Sequence, residues 1–349
     1  MALDKNEFLR ILTCASEAGV SDVFVSEGTA VHWRRCGVMS PLKEYVAGGD
    51  DIAAIFAELA TKPHRELFVK NKEVDFTWEY RQRRYRIHIY RRLGRIAFAI
   101  RVFPWKIPAL VELGQASGVQ QFMDYDDGLF LVTGATGAGK TTTVAAMLAE
   151  YNRTRDYHIL TLEDPVEYLY PKGRCLFSQQ ELGRDFNDYH SGIVSAMREN
   201  PDIIMIAELR DGATCEAALS AAASGHYVIA TMHTGGAVET VERIISMVDS
   251  SRQNLARSML ASALRGVCSQ KLYRGKAGSQ HCGVELLKVN NAARNIIRNG
   301  KYEQLNSVMQ SGGSQGMQTM EMAVEALRQD GLLRAGRDGN RYGQNGKAL

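Results

Sequence analysis

No stretch of the 349-residue sequence approaches the roughly 18 consecutive apolar residues that a membrane-spanning helix needs. The N-terminus, MALDKNEFLRILTCASEAG, has acids among its apolar residues and lacks the long apolar core of a secretory signal. Both absences predict a cytoplasmic chain whose membrane role is peripheral. Its six cysteines stand at 14, 36, 175, 215, 268 and 282, and none forms a C-x-x-C pair. That excludes a zinc ribbon or finger and leaves scattered reduced thiols. Charge of one sign is also scarce. A formal net charge of +3 does not supply the broad phosphate-binding footprint of a nucleic-acid protein. There is no repeat at a fixed period. With 45% hydrophobic and 23% charged residues, the chain reads as ordinary globular protein, long enough for two or three domains.

The hydrophobic pattern changes character once along the chain. Up to about residue 104 it predicts a small mixed α/β domain. Phe8, Leu9, Leu12 and Ala15 share one face of a helix over 4–18, DVFVS is a short strand, and DDIAAIFAELA is a second helix. EVDFTWEY, RYRIHIYRR and RIAFAIRVF then alternate as strands. PWKIPALVELG carries two prolines and reads as a linker plus a short helix start, with the linker placed at 105–120. From Gly128 near-continuous apolar strands (GLFLVTG, HILTLED, PDIIMIAELR, HYVIATMHT) alternate with helices, which predicts a parallel sheet covered on both faces. The pattern after about 250 reads as mostly helical, including RQNLARSMLASALRGVCSQKLY, with HCGVELLKV as a strand candidate. The segment 336–349, rich in Gly, Asn and Arg, reads as disordered.

Chemistry enters at LFLVTGATGAGKTTT. Gly134-Ala135-Thr136-Gly137-Ala138-Gly139-Lys140-Thr141 fits G-x-x-x-x-G-K-[ST] without a gap, between a predicted strand and a predicted helix. Glycines let backbone N–H groups approach phosphate oxygens, and the next helix, with Thr142 in its first turn, aims its positive end at them. Lys140 is expected on the β/γ phosphates of ATP and the Thr141 hydroxyl on Mg²⁺. Hydrolysis also needs acids. Glu208 ends one apolar strand, and Glu163 and Asp164 end another, where ligands bind in open α/β sheets. Asp164, before Pro165, and Asp211, before a helix, read equally well as caps. His226 and His233 bracket the strand YVIATM and are candidate γ-phosphate sensors. RQRRYRIHIYRRLGR admits a solvated face or a nucleic-acid surface. It also admits a third reading, in which Arg86 and Arg101 complete a neighbouring subunit's nucleotide site in trans.

The order GATGAGKT, LTLEDPVEYLY, PDIIMIAELRD, GHYVIATMHT resembles the Walker A, Asp box, Walker B and His box of the secretion ATPase superfamily of type II secretion and type IV pili. AARNIIRNGKYEQL and GMQTME are similar to the C-terminal elements of PilT-like pilus retraction ATPases, and RYRIHIYRRLGRIAFAIRVFP to the last strands of their N-terminal domain. The resemblance implies an α/β protein with a PAS-like domain (1–104), a RecA-like P-loop core with a mostly parallel sheet (121–270) and a mostly helical C-terminal part (271–335). It implies Glu208 as catalytic glutamate, Glu163 and Thr141 at Mg²⁺, and a hexameric motor ATPase that retracts type IV pili for twitching motility. An assembly, secretion or conjugative thin-pilus ATPase of the same superfamily is the alternative. The implied partners are five further copies of the chain and an inner-membrane pilus platform protein, with an assembly ATPase as a further candidate. The implied seat is cytoplasmic, peripheral to the inner membrane at the pilus base. SDVFV stands where the family has SDLHL, and Ala207 where Walker B usually has Gly.

Overall fold

A computed structural model describes residues 3–35, 37–275 and 279–333. Cys36 and the segment 336–349 lie outside the described residues. The chain divides into two compact units, the first formed by residues up to Lys106 together with Glu167–Leu169, the second running onward from Ile107.

In the first unit the elements are α1 (Lys5–Glu17), β1 (Val20–Ser26), β2 (Ala30–Arg35), β3 (Val38–Val46), α2 (Gly49–Leu59), α3 (Lys62–Asn71), β4 (Glu73–Tyr80), β5 (Arg83–Arg92) and β6 (Arg95–Val102). Asp4 caps α1 by accepting from the Glu7 amide at 2.8 Å, satisfying one of the donors a helix start leaves open. Phe8, Leu9, Ile11, Leu12 and Ala15 of α1 then turn inward. The strands form an antiparallel sheet in the order β3-β2-β1-β6-β5-β4, the mixed α/β arrangement expected of a PAS-like domain. Tyr85, Ile87 and Ile89 of β5 are fully buried, so the alternate residues Arg84, Arg86 and His88 leave the core side of the strand. Tight two-residue turns set the register. Arg81 and Gln82 both take positive φ between β4 and β5, as do Leu93 and Gly94 between β5 and β6.

The second unit contains β7 (Gly128–Thr133), α4 (Lys140–Thr154), β8 (His158–Glu163), β9 (Leu176–Glu181), α5 (Tyr189–Ala196), β10 (Ile203–Ile206), α6 (Gly212–Ala223), β11 (Tyr227–Met232), α7 (Ala237–Met247), α8 (Gln253–Ala263), β12 (Leu264–Arg274), β13 (Gln280–Lys288), α9 (Asn291–Asn299), α10 (Leu305–Ser311) and α11 (Met320–Gln329). Seven strands lie in the order β13-β12-β7-β11-β10-β8-β9, parallel except for the β12–β13 pair. Every residue of β7, β10 and β11 is buried, because apolar layers cover both faces. One layer holds Leu131, Ile206, Val228 and Leu260, the other Phe130, Val132, Met147 and Ile229. The unit is the RecA-like arrangement expected of the P-loop core.

Five elements depart from the sequence reading. The helix expected over 252–273 stops at Ala263, and Leu264–Arg274 is instead a strand pairing in parallel with β7. A short apolar run does not distinguish a buried strand from a buried helix, and here sheet pairing decides. Gly266 permits it, since a Cβ there would lie 2.2 Å from the Phe122 ring. β9, whose LFSQQE has little apolar patterning, the β2–β3 hairpin and α3 are elements that the sequence reading does not contain, although Pro63 sits in the first turn of α3.

Candidate active site

The parallel register brings the carboxyl ends of β7, β8, β10 and β11 to one edge of the second unit. Ile206 of β10 lies beside Leu162 of β8 and Ala230 of β11, and Met232 of β11 lies beside Thr133 of β7. The sheet therefore gathers the loops that leave these strand ends. After β7 comes the glycine-rich loop. Gly134, Gly137 and Gly139 take φ of +144°, +79° and +91°, left-handed conformations that cost side-chain-bearing residues strain. At Gly134 space is equally decisive, because a Cβ would lie 2.5 Å from the Gln270 carbonyl oxygen and 3.0 Å from the Ala138 Cβ. Gly134→Ala should therefore destabilise the protein by about 2 kcal/mol or more, a large single-site effect. Thermal unfolding checks this, and an unchanged Tm with unchanged nucleotide affinity would show that the loop does not need its glycine.

Gly139 starts α4, so Lys140 is its first residue, with Thr141 and Thr142 half-buried in the same turn. Lys140 is only 8% exposed. Its ammonium donates to the Gly134 carbonyl at 2.8 Å and the Ala135 carbonyl at 3.2 Å, and meets His233 Nδ1 at 3.3 Å. An ammonium only donates, so Nδ1 is the acceptor and the imidazole proton sits on Nε2. That Nε2 faces Glu208 Oε2 at 3.4 Å. Thr136 Oγ1 lies 3.4 Å from the same Nδ1. The phosphate loop is thus linked through His233 to Glu208, two residues beyond β10. Arg210 extends the line, donating from Nε to Glu208 Oε2 at 2.9 Å and lying 3.5 Å from Asp164 Oδ2. The bonded Glu208 carboxylate holds the Arg210 guanidinium above its ordinary pKa.

Glu163, the last residue of β8, is buried, and both Thr161 Oγ1 (2.7 Å) and Gln179 Nε2 (3.1 Å) donate to its Oε1. Behind the loop, Gln270 of β12 donates to Thr143 Oγ1 at 2.7 Å, bracing α4. Arg210, Thr161, Gln179 and Gln270 escape the sequence reading. Arg210 has a signal, because it lies two residues from Glu208 on the same alternation. Gln179 has none, since β9 carries little apolar pattern.

His226 does not join this cluster. It precedes β11, whereas His233 comes after it, so the six strand residues Tyr227–Met232 separate them by about 20 Å at the usual ~3.3 Å rise. Its Nδ1 lies 3.1 Å from Ser224 Oγ and 3.2 Å from the Ala221 carbonyl, at the amino end of the strands. Within one chain the structure therefore does not bring His226 to the loop after β7, where it does bring His233.

Arg86 and Arg101 lie in the first unit, opposite one another on β5 and β6. Like charges across a ladder repel, and each is offset from its outer side. Arg86 forks onto Asp75 of β4 with contacts of 2.7 to 3.2 Å, and Arg101 faces Asp22 of β1 at 3.7 Å. The result is a row running Asp22, Arg101, Arg86 across the sheet, with both arginines exposed and Asp22 half-buried.

The pattern of the family described as "Type II/IV secretion system protein" matches residues 110–338. The chain belongs to this family. Among secretion-system relatives, it is 34% identical to the Pseudomonas aeruginosa type IV pilus retraction ATPase PilT, over 94% of this chain and 95% of that one. It is 37% identical to the Escherichia coli protein YggR, over 93% of this chain and 98% of that one. A crystal structure of the pilus retraction motor PilT with bound ADP superimposes with a TM-score of 0.86 at 35% identity, covering 94% of each chain. The chain is accordingly an ATPase of this secretion family.

Proposed function

We propose that the chain is a motor ATPase that couples ATP hydrolysis to retraction of type IV pili. The observation that carries the chemistry is the unbroken line from Lys140 through His233 to Glu208. Retraction rests on the likeness to a retraction ATPase along nearly the whole chain. Gly134, Thr136, Gly137, Ala138, Gly139, Lys140, Thr141 and Thr142 cradle the phosphates, aided by the positive end of α4. Water attacks the γ-phosphorus, the bond to the β–γ bridging oxygen breaks, and the water's proton passes to Glu208 as ADP leaves. His233, bonded to both loop and acid, reports whether a γ-phosphate is present.

The donor set fits Mg²⁺. A hydroxyl in the first turn of α4 (Thr141) and a fixed carboxylate at a strand end (Glu163) suit an ion that takes its other ligands from phosphate and water. Among the described residues no cluster of three or more His, Cys, Asp or Glu forms a cage, which such a site does not require. Bound there, the ion neutralises charge on the phosphate oxygens.

The working form proposed is a homohexameric ring beneath an inner-membrane pilus platform protein. No helix among the described residues is long and apolar enough to cross a membrane. In the ring, Arg86 and Arg101 would reach a neighbour's nucleotide by exchanging Asp75 and Asp22 for phosphate oxygens. Phosphate release by the assembled protein in Mg²⁺ tests both the chemistry and this trans role. Arg86→Ala removes an exposed ion pair worth less than about 1 kcal/mol, so Tm should hold. Turnover of the ring should fall at least about tenfold, as for a finger arginine. Wild-type turnover by an intact Arg86→Ala ring rules the trans role out.

A further inference from the structure

Tyr189 is the first residue of α5, placed there by Asp188, whose carboxylate accepts from the Ser191 amide at 2.9 Å. Its ring meets Phe186 edge-on, with centroids 5.4 Å apart. The residue is 8% exposed, and its hydroxyl is buried with no hydrogen-bond partner. Leaving a buried hydroxyl unpaired costs folding free energy, and phenylalanine would fill the same space without that cost. Packing therefore gives no reason for the oxygen. Its surroundings do. Tyr189 shares a core cluster with Leu162 and Leu209, the sequence neighbours of Glu163 and Glu208, and the charges that bear on it are Asp164, Arg210, Glu208 and Glu163. Burial, reinforced by Asp164, pushes the phenol's pKa up, so it keeps its proton and can donate.

In the structure the Asp164–Glu208 pair is bridged by Arg210, whose side chain is 54% exposed and whose contact with Asp164 is long at 3.5 Å. A triphosphate arriving at the loop competes for such a guanidinium, and whatever Arg210 gives up must be replaced for the acids to keep their places. We propose that Tyr189 is a further positioning residue for hydrolysis, its hydroxyl donating to the Asp164 carboxylate when Arg210 turns toward phosphate. The inference rests on the ATPase reading of the site. It gives Asp164 a hydrogen-bonding task beyond capping.

Tyr189→Phe removes one oxygen and keeps the ring. The expected result is a kcat lower by about tenfold, the size of one hydrogen bond to a charged group. KM for ATP should be unchanged and Tm equal to or above wild type. In an Asp164→Asn background the same change should add little, since both act through one contact. A wild-type kcat overturns the proposal. So does a fall in kcat with a lower Tm and weaker nucleotide binding, which would be a packing role, and so do losses that multiply in the double variant. Glu208→Gln assayed alongside separates the two levels. Were it also fully active, the hydrolytic site itself would be misplaced.

Discussion

Lys140→Ala should lose nucleotide affinity by about a hundredfold or more and bring ATP turnover below detection. The ammonium is held buried at the start of α4, anchored by the Gly134 and Ala135 carbonyls. A hydrogen bond from a charged donor contributes about 1.5–3 kcal/mol, and two to phosphate oxygens would account for at least a hundredfold. The loop itself should persist in the variant, because its shape is set by the glycine conformations and by the Gly134 amide bonded to the Met232 carbonyl at 3.3 Å. Titration with a fluorescent nucleotide, beside a phosphate-release assay, separates binding from chemistry. Turnover near wild type in Lys140→Ala would remove the phosphate-loop assignment.

Glu208→Gln should behave in the opposite way, binding ATP normally and hydrolysing it about 10²- to 10⁴-fold more slowly. The amide keeps the side chain's volume and one acceptor for Arg210 Nε, so the local structure should hold. The substitution removes the anion proposed to take the water's proton, around which His233 Nε2 and Arg210 are arranged. Retained binding with lost turnover is the signature of an interaction used only in the transition state. Normal turnover would move the role to Glu163, the other acid at the strand ends.

Much of this site is legible in the sequence because short-range rules write it. The spacing from Gly134 to Thr141 fixes a loop and the start of a helix. The apolar runs ending at Glu163 and Glu208 mark strands whose carboxyl ends must coincide once the sheet is parallel. His226 shows where such rules stop. A strand has two ends about 20 Å apart, and bracketing YVIATM with histidines does not put both at the nucleotide. Gln179 and Tyr189 stay invisible for a related reason. Their roles come from contacts between β8, β9, α5 and the turn after β10, which are distant in sequence and carry no spacing rule. In the first unit, alternation in β4, β5 and β6 reveals the strands, but only the register shows that Arg86 and Arg101 stand side by side between Asp75 and Asp22.

Whether hydrolysis at Glu208 draws pili back is tested most directly in cells lacking this gene, complemented with wild type or with Glu208→Gln. The quantity to measure is the number and length of surface pili. Retraction predicts excess pili that fail to shorten in the null strain and with Glu208→Gln, and normal pili with wild type. Bald cells in the null strain would contradict it and make the protein an assembly motor.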